Sequence, residues 1–482
     1  MAQRVFVISD LHMAAKGTGF FSAKAALTQF ILHIKDVPGE VDLVILGDAL
    51  DYLQIEPYLS FTAAEAEKKT EAIIANNQEV FSALQEFIAE PGKRIRWVIG
   101  NHDLELLFPI ARQLIAEELF GKAASSKHPQ LTWHLDGGHI DYLEAQPALI
   151  RLVHGNQGDG WNAVDYDAAK AAVRSGSGNK SVYPHGSVLV AEVLNPLQQQ
   201  GFHHVHMLKP ETTVALPLSI ALWPEDAWRL ICKAFPLFAK KKQTDLRDWL
   251  VEKFGLVSKK TFGPPQSEAP QDSASIEQLV AALLKQSIAA SGSPLNSALA
   301  SDLSGWLTNQ NAQKLLDDYL ADTEKSQSPK YGTFGWMKNS VSSLVQGAAN
   351  IVNGISNPWV IDQEDDLRDP VQQSYKINQV TVLIAGHTHL ARTVSYPGGY
   401  YINTGTWADL MKIPRCLPSH EFKDYARDLR ENLKNPAKCP FGVRPFQRLT
   451  YVEIDFRKTA HPFRASLCEW PTEASRILHQ YP

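Results

Sequence analysis

Five times along this chain an apolar run of strand length breaks into a short polar word built on aspartate, asparagine or histidine. VFVI precedes Ser9-Asp10-Leu11-His12, VDLVIL precedes Gly47-Asp48-Ala49-Leu50-Asp51, and RIRWVI precedes Gly100-Asn101-His102-Asp103. LIRLV precedes His154, and VTVLIA precedes Gly386-His387-Thr388-His389. A continuous apolar run such as VDLVIL suits a strand covered on both faces. Stretches at helical spacing lie between the runs: Ser22–Lys35 with Ala26, Phe30 and Ile34, a long pattern over Ala63–Glu90, and another near Leu104–Phe120. The alternation points to an α/β class, in which sites form at the carboxyl ends of the strands.

The five strand ends would then deliver their ligands to one edge. Asp10 and His12 stand two residues apart, the strand period, so both can project to one side. Gly47, Gly100 and Gly386 precede the ligands, consistent with tight turns or close backbone approach. Oxygen and nitrogen donors without sulfur suit Mn²⁺, Fe or Zn²⁺. The candidates Asp10, His12, Asp48, Asn101, His154, His387 and His389 are too many for one metal with an open position. They suit two divalent ions sharing a carboxylate, since a pair roughly 3.5–4 Å apart can clamp in-line displacement at phosphorus.

LTWHL (131–135) and HIDYL (139–143) read as strands joined by Asp136-Gly137-Gly138 in a hairpin. From 156 to 378 strand patterns are few, and Pro, Gln, Ser and Ala become common. SIEQLVAALLKQSIAA (275–290) begins with a capping box at Ser275 and Gln278, and 262–274 reads as a connector. Strand patterns resume at 380–386, 400–405 and 448–456. The expected organisation is a core in two parts, 1–155 and 379–482, interrupted by a mainly helical insertion over 156–378.

Composition narrows the class. The net charge is −5, from 47 basic and 52 acidic residues, so no broad basic field advertises nucleic acid. Cys232, Cys416, Cys439 and Cys468 are scattered without C-x-x-C spacing. That argues against a disulfide framework and a cysteine zinc site, and fits a reducing compartment. The apolar run before Asp10 is too short for a signal peptide, and no apolar stretch approaches the ~18 residues of a membrane span. The expected location is cytoplasmic.

The order D-x-H (Asp10, His12), G-D-x-x-D (Gly47–Asp51), G-N-H-D (Gly100–Asp103), a lone His154 and G-H-x-H (Gly386–His389) resembles the calcineurin-like metallophosphoesterases over 1–155 and 376–456. The resemblance implies two packed mixed β-sheets flanked by helices. It implies that Asp10, His12 and His389 bind one metal and Asn101, His154 and His387 the other, with Asp48 bridging and manganese the first expectation, ahead of iron or zinc. It implies a metal-bridging hydroxide as nucleophile, His102 as general acid or phosphate contact, Asp103 orienting that imidazole, and Asp51 holding the turn. One departure stands out: the second motif often continues with Arg, and here Tyr52 follows Asp51. HGNQGD (154–159) is similar to the H-G-x-x-x-D stretch of bacterial members related to nucleotide-sugar-lipid pyrophosphatases, which would let Asp159 steady the loop of His154 or serve as a plain turn residue. YINTGTW (401–407) resembles the strand and turn that follow G-H-x-H, where Asn403 and Trp407 could edge the pocket or pack.

Other features have plainer readings. His203, His204 and His206 read as a solvated or core cluster, and AKKKQ (239–243) as a solvated helix face. In 334–355 Trp336, Val341, Leu344, Val345, Ala348, Val352 and Ile355 share a helical face with Lys338 as the single charge, so packing within the insertion competes with peripheral membrane contact. An insertion leaving just after His154 and returning just before the last ligand strand is expected to cap the metals and select the substrate. The function expected is hydrolysis of a phosphomonoester or phosphodiester. The rivals are a non-catalytic scaffold of the same fold and a nuclease of the same superfamily.

Overall fold

A computed structural model describes residues 4–199 and 380–411, each with short gaps, then 445–456, 463–470 and 476–481, and positions 205–208, 361, 421, 424, 425, 428 and 431. The features expected at 262–274, 275–290 and 334–355, and most of the insertion, lie outside them. The chain divides into two compact units, one of Met1–Gln200, Asn357–Met411 and Pro445–Pro482, the other of Gly201–Ser356 and Lys412–Arg444. In the second, His206 is buried, flanked by buried Val205 and close to Leu208.

In chain order the first unit holds β1 (Arg4–Ile8), α1 (Lys24–Lys35), β2 (Val41–Leu46), α2 (Ala63–Asn76), α3 (Gln78–Ala89), β3 (Lys93–Val98) and α4 (Pro109–Phe120). It continues with β4 (Leu131–His134), β5 (Ile140–Ala145), β6 (Ala148–Leu152), α5 (Tyr166–Ser175), α6 (His185–Leu189) and α7 (Asn195–Gln199). Beyond the insertion come β7 (Val382–Ala385), β8 (Arg392–Tyr396), β9 (Gly399–Asn403), β10 (Thr450–Asp455), β11 (Arg464–Glu469) and β12 (Arg476–Tyr481). These form two mixed sheets flanked by helices, ordered β12-β11-β10-β1-β2-β3-β4 and β5-β6-β7-β9-β8.

The apolar runs sit where their patterns require. β1 to β4 are parallel neighbours, and all six residues of β2 are buried. Val5, Val7, Val44, Leu46 and Val98 join Ile150, Leu152, Val382, Ile384 and Ile402 in one core drawn from both sheets. Phe6 takes the other face, meeting Phe30 of α1 edge-on at 6.3 Å. Burying each such side chain contributes roughly 1.5–3 kcal/mol. β6 and β7 are adjacent and parallel (Leu152↔Ile384), so the long insertion is the crossover between two neighbouring strands, each ending in a candidate ligand.

Two local expectations need correcting. β4 and β5 are not a hairpin: β4 pairs in parallel with β3, while β5 pairs antiparallel with β6 in the other sheet. The Asp136-Gly137 turn therefore passes the chain between sheets, because Trp133 of β4 packs on Trp97 at 5.4 Å whereas Ile140 and Tyr142 enter the shared core. The pattern over 63–90 is two helices broken at Asn77, whose φ of −121° leaves the helical region. The Asn77 amide donates to Ile73 O at 2.7 Å and to Ala14 O at 3.0 Å, tying the break to the loop after β1.

Candidate metal centre

Six strands place side chains at one site: the loops after β1, β2, β3, β6, β7 and β9 meet at their carboxyl ends. Backbone bonds fasten these loops together before any side chain is considered. Asp10 N–H donates to Gly47 O (3.1 Å), His12 N–H to Asp48 O (3.0 Å), Gly386 N–H to His154 O (2.9 Å), and Trp407 N–H to Asp10 O (3.3 Å). Among the described residues the non-glycine positions with positive φ are Asp10 (51°), His12 (50°), Asp48 (50°), His387 (70°) and His389 (61°). All five are sequence-derived ligand candidates. Aspartate and histidine tolerate this region better than most residues, yet it is strained, and such strain gathers at functional sites.

The glycines before the ligands have a steric reason. Gly47 has φ +85°, and a Cβ there would collide with the His154 ring. A Cβ at Gly386 would collide with the Ser9 hydroxyl and the Asp10 carboxylate.

Three groups have donor atoms within 4.8 Å of one another: Asp10 with His12 and His389, Asp48 with His154 and His387, and His12 with Asp51 and His102; the first two are made of the sequence-derived ligand candidates. His12 Nε2 lies 2.9 Å from His389 Nε2, and His389 Nε2 3.3 Å from Asp10 Oδ1. His154 Nε2 lies 3.1 Å from Asp48 Oδ2. The first two groups abut, since His387 N–H donates to Asp10 Oδ2 at 2.9 Å. His154 Nδ1 is bonded to Leu46 O at 2.8 Å, which aims Nε2 at the site. Asn101 is 1% exposed and its Oδ1 has no hydrogen-bond partner among the described residues. A buried carbonyl oxygen normally has one, so this oxygen fits a cation's ligand.

The electrostatics point the same way. Asp10, Asp48, Asp51 and Asp103 are all at most 1% exposed, and buried carboxylates need compensating positive charge. Burial alone would raise the Asp10 carboxyl, but the hydrogen bond and charge of His389 hold it at about 2. Burial likewise opposes ionisation of Asp48, and the charges of His154 and His102 hold it well below the usual carboxylate range. Burial would lower His154, but the charge of Asp48 lifts it to about 9. Burial and the charge of Asp48 push Asp103 up to about 7, against the backbone N–H groups it accepts. Without a cation the raised His154 offsets the charge of Asp48; divalent cations would offset the acids with the imidazoles neutral. The donor set therefore fits two such ions.

His102 is the most open of the core site's histidines, its side chain 15% exposed against 10% for His387. Its orienting carboxylate differs from the expectation. Asp51, not Asp103, reaches its ring, with Oδ1 3.1 Å from His102 Nδ1 and Oδ2 2.9 Å from His12 Nδ1. Asp103 instead accepts from the backbone N–H of Gly100 (2.6 Å) and Ala49 (3.0 Å), clamping the second and third motif loops together. The reason is position: the Asp103 carboxylate is taken up by the backbone of Gly100 and Ala49, whereas the two Asp51 oxygens reach both rings.

Tyr52 does not stand in for an arginine at the site. It is fully buried, with its hydroxyl 2.7 Å from Thr70 Oγ1. Asn403 is buried and braces the G-H-x-H loop, donating to Gly386 O (2.7 Å) and Thr388 Oγ1 (3.0 Å), while Trp407 packs on Phe30 at 5.2 Å. Sequence reasoning missed Phe20, whose ring lies 5.1 Å from that of His12 and 6.5 Å from that of His389. It also missed Ser9, bonded to Asp10 and 2.5 Å from Thr404 Oγ1. Among the described residues no helix is long and apolar enough to cross a membrane.

Residues 3–192 match the family model for calcineurin-like phosphoesterases. The match ends before His387 and His389, which the structure nevertheless brings to the same site. No curated protein matches the chain.

Proposed function

Because residues 3–192 belong to the calcineurin-like phosphoesterases, we propose that this chain is a dinuclear, manganese-dependent hydrolase of small phosphate esters. The observation that carries the reading is the pairing of two ligand groups, Asp10/His12/His389 and Asp48/His154/His387, which backbone N–H groups join from His387 to the Asp10 carboxylate and from His12 to Asp48 O. Asp10, His12 and His389 would hold one ion, and Asn101, His154 and His387 the other, with Asp48 shared. When bound, the two ions supply Lewis acidity to the phosphoryl oxygens and make water acidic enough to act as nucleophile near neutral pH.

The remaining chemistry belongs to the chain. His102, the ring most open to a ligand, donates a proton to the departing oxygen. Asp51 holds its Nδ1 and so presents Nε2 outward. Asp103 keeps the loops of Asp48 and His102 in register through Gly100 and Ala49. His102 N–H in turn donates to Asp48 Oδ1 at 2.8 Å, coupling the acid's position to that of the shared carboxylate.

The test uses the full chain stripped by chelator and reloaded with MnCl2. The expected result is hydrolysis of bis-p-nitrophenyl phosphate or p-nitrophenyl phosphate that returns with about two Mn²⁺ per chain and is lost in Asp48→Ala and His102→Ala. Two tightly bound ions with no turnover of either ester would make the chain a scaffold instead.

A further inference from the structure

The carboxylate of Asp159 meets the centre from outside the motif ligands. Its Oδ2 lies 3.2 Å from His387 Nε2. It is placed there by a local framework rather than by a mobile side chain. Asp159 N–H donates to Asn156 O (3.1 Å), and Asn162 N–H and Ala163 N–H donate back to Asp159 O at 2.9 and 2.7 Å. Asn162 Nδ2 donates to Asp159 Oδ2 at 2.8 Å, fixing the oxygen that faces the imidazole. Asn156 completes the frame, donating to Asn162 O at 3.0 Å and Tyr166 OH at 3.3 Å. Gly186 leaves the room this needs, for a Cβ there would collide with the Asn162 amide.

Resting on the dinuclear reading above, we infer that Asp159 is the positioning residue of the second metal site, acting through His387. An imidazole that donates one N–H to a carboxylate is fixed in tautomer and orientation, and its other nitrogen becomes more basic. His12 has such a partner in Asp51 and His154 in Leu46 O, each on Nδ1. His387 has its partner on Nε2, which leaves Nδ1 for the cation. The pair also joins the two sides of the insertion: Asp159 follows β6, and His387 follows β7. The second site is therefore complete only when both ends of the crossover are in place.

The experiment compares the full-length wild type with Asp159→Ala, Asp159→Asn, Asp159→Glu and His387→Ala. Mn²⁺ affinity is read by equilibrium dialysis, and coordination by the absorption spectrum after Co²⁺ loading. Loss of a carboxylate partner to a ligating histidine costs roughly 10–100-fold in metal affinity. Asp159→Ala should weaken the second ion by that factor and leave the first within about twofold, with Asp159→Glu recovering part of the loss. Asp159→Asn, nearly isosteric, should weaken the second ion while keeping the Co²⁺ band positions. Unchanged affinities in both Asp159→Ala and Asp159→Asn would overturn the assignment. So would a changed Co²⁺ coordination in Asp159→Asn, which would make Asp159 a direct ligand. Equal weakening of both ions would mark general loosening and overturn it too. If wild type itself binds fewer than two ions, the dinuclear reading fails first, and the assignment with it.

Discussion

Replacing Asp51 by Asn tests how one buried carboxylate serves two histidines. Its two oxygens each hold a ring, His12 Nδ1 at 2.9 Å and His102 Nδ1 at 3.1 Å. The charges and hydrogen bonds of these rings keep Asp51 ionised although burial opposes it. A carboxamide has one accepting oxygen and one NH₂, so it can accept an N–H from only one ring. The oxygen should turn to His12, whose side chain is 1% exposed and whose bond is the shorter. The NH₂ then faces His102, which is open enough at 15% to shift its proton to Nε2. His102 loses the charged partner of its imidazolium, a hydrogen bond worth about 1.5–3 kcal/mol. That corresponds to a kcat lower by about 10–100-fold, with Mn²⁺ affinity within about tenfold of wild type. The assay is kcat at saturating Mn²⁺ on aryl phosphate esters of graded leaving-group pKa. A proton donor matters most for poor leaving groups, so the deficit should grow along the series. A deficit independent of the leaving group, or none, would refute the argument.

Three further outcomes follow from the same geometry. Gly47→Ala must accept φ +85° and displace the His154 ring, so it should lose at least ~1–2 kcal/mol of stability from the backbone alone, read by denaturant unfolding of the chelated protein, and also weaken metal binding. Tyr52→Phe removes only the bond to Thr70, so it should cost about 1 kcal/mol of stability with unchanged kcat; a large fall in kcat would place Tyr52 at the substrate. His154 is raised to about 9 in the metal-free site because the Asp48 charge outweighs burial, so its ion pair stabilises the apo fold fully below its ordinary value of 6.5 and less as pH rises toward 9. A ligating imidazole must be neutral, so Mn²⁺ binding at pH 7 should release that proton, seen by calorimetry in buffers of different ionisation enthalpy, and the release should fade above pH 9.

The convergence of the candidate residues was legible because each interrupts an apolar run at a strand's carboxyl end, which is a place rather than a statistical tendency. What was illegible depends on contacts between chain-distant segments. Asp51 and Asp103 are both aspartates in motif loops, and spacing does not say which one faces the His102 ring; only the docking of the β2 loop under the β3 loop decides it. The supposed β4–β5 hairpin failed for a related reason. Asp136-Gly137 specifies a turn, but which sheet receives the next strand is set by where Ile140 and Tyr142 can be buried. Phe20 carries no signal at all, since an aromatic between a loop and a helix reads as ordinary core.

The five left-handed ligand candidates bear on why so much bracing surrounds them. Each non-glycine residue in that region costs on the order of 1 kcal/mol, and together they approach the lower end of a domain's whole stability, about 5 kcal/mol. A cation could offset that cost only when present, so a fold that must form before loading needs other compensation. The structure supplies it in groups that hold no ligand role: Thr406 Oγ1 donates to Asp10 O at 2.6 Å, Asn403 to Gly386 O at 2.7 Å, and Met13 N–H to Ala49 O at 2.9 Å. These bonds grip the backbone on either side of the strained residues, while the ligand side chains are left to one another and to a cation. Strain at the ligands and surplus bonding beside them are thus one arrangement. It explains why the loop after β9, which contributes no ligand, is packed as tightly into the site as those that do.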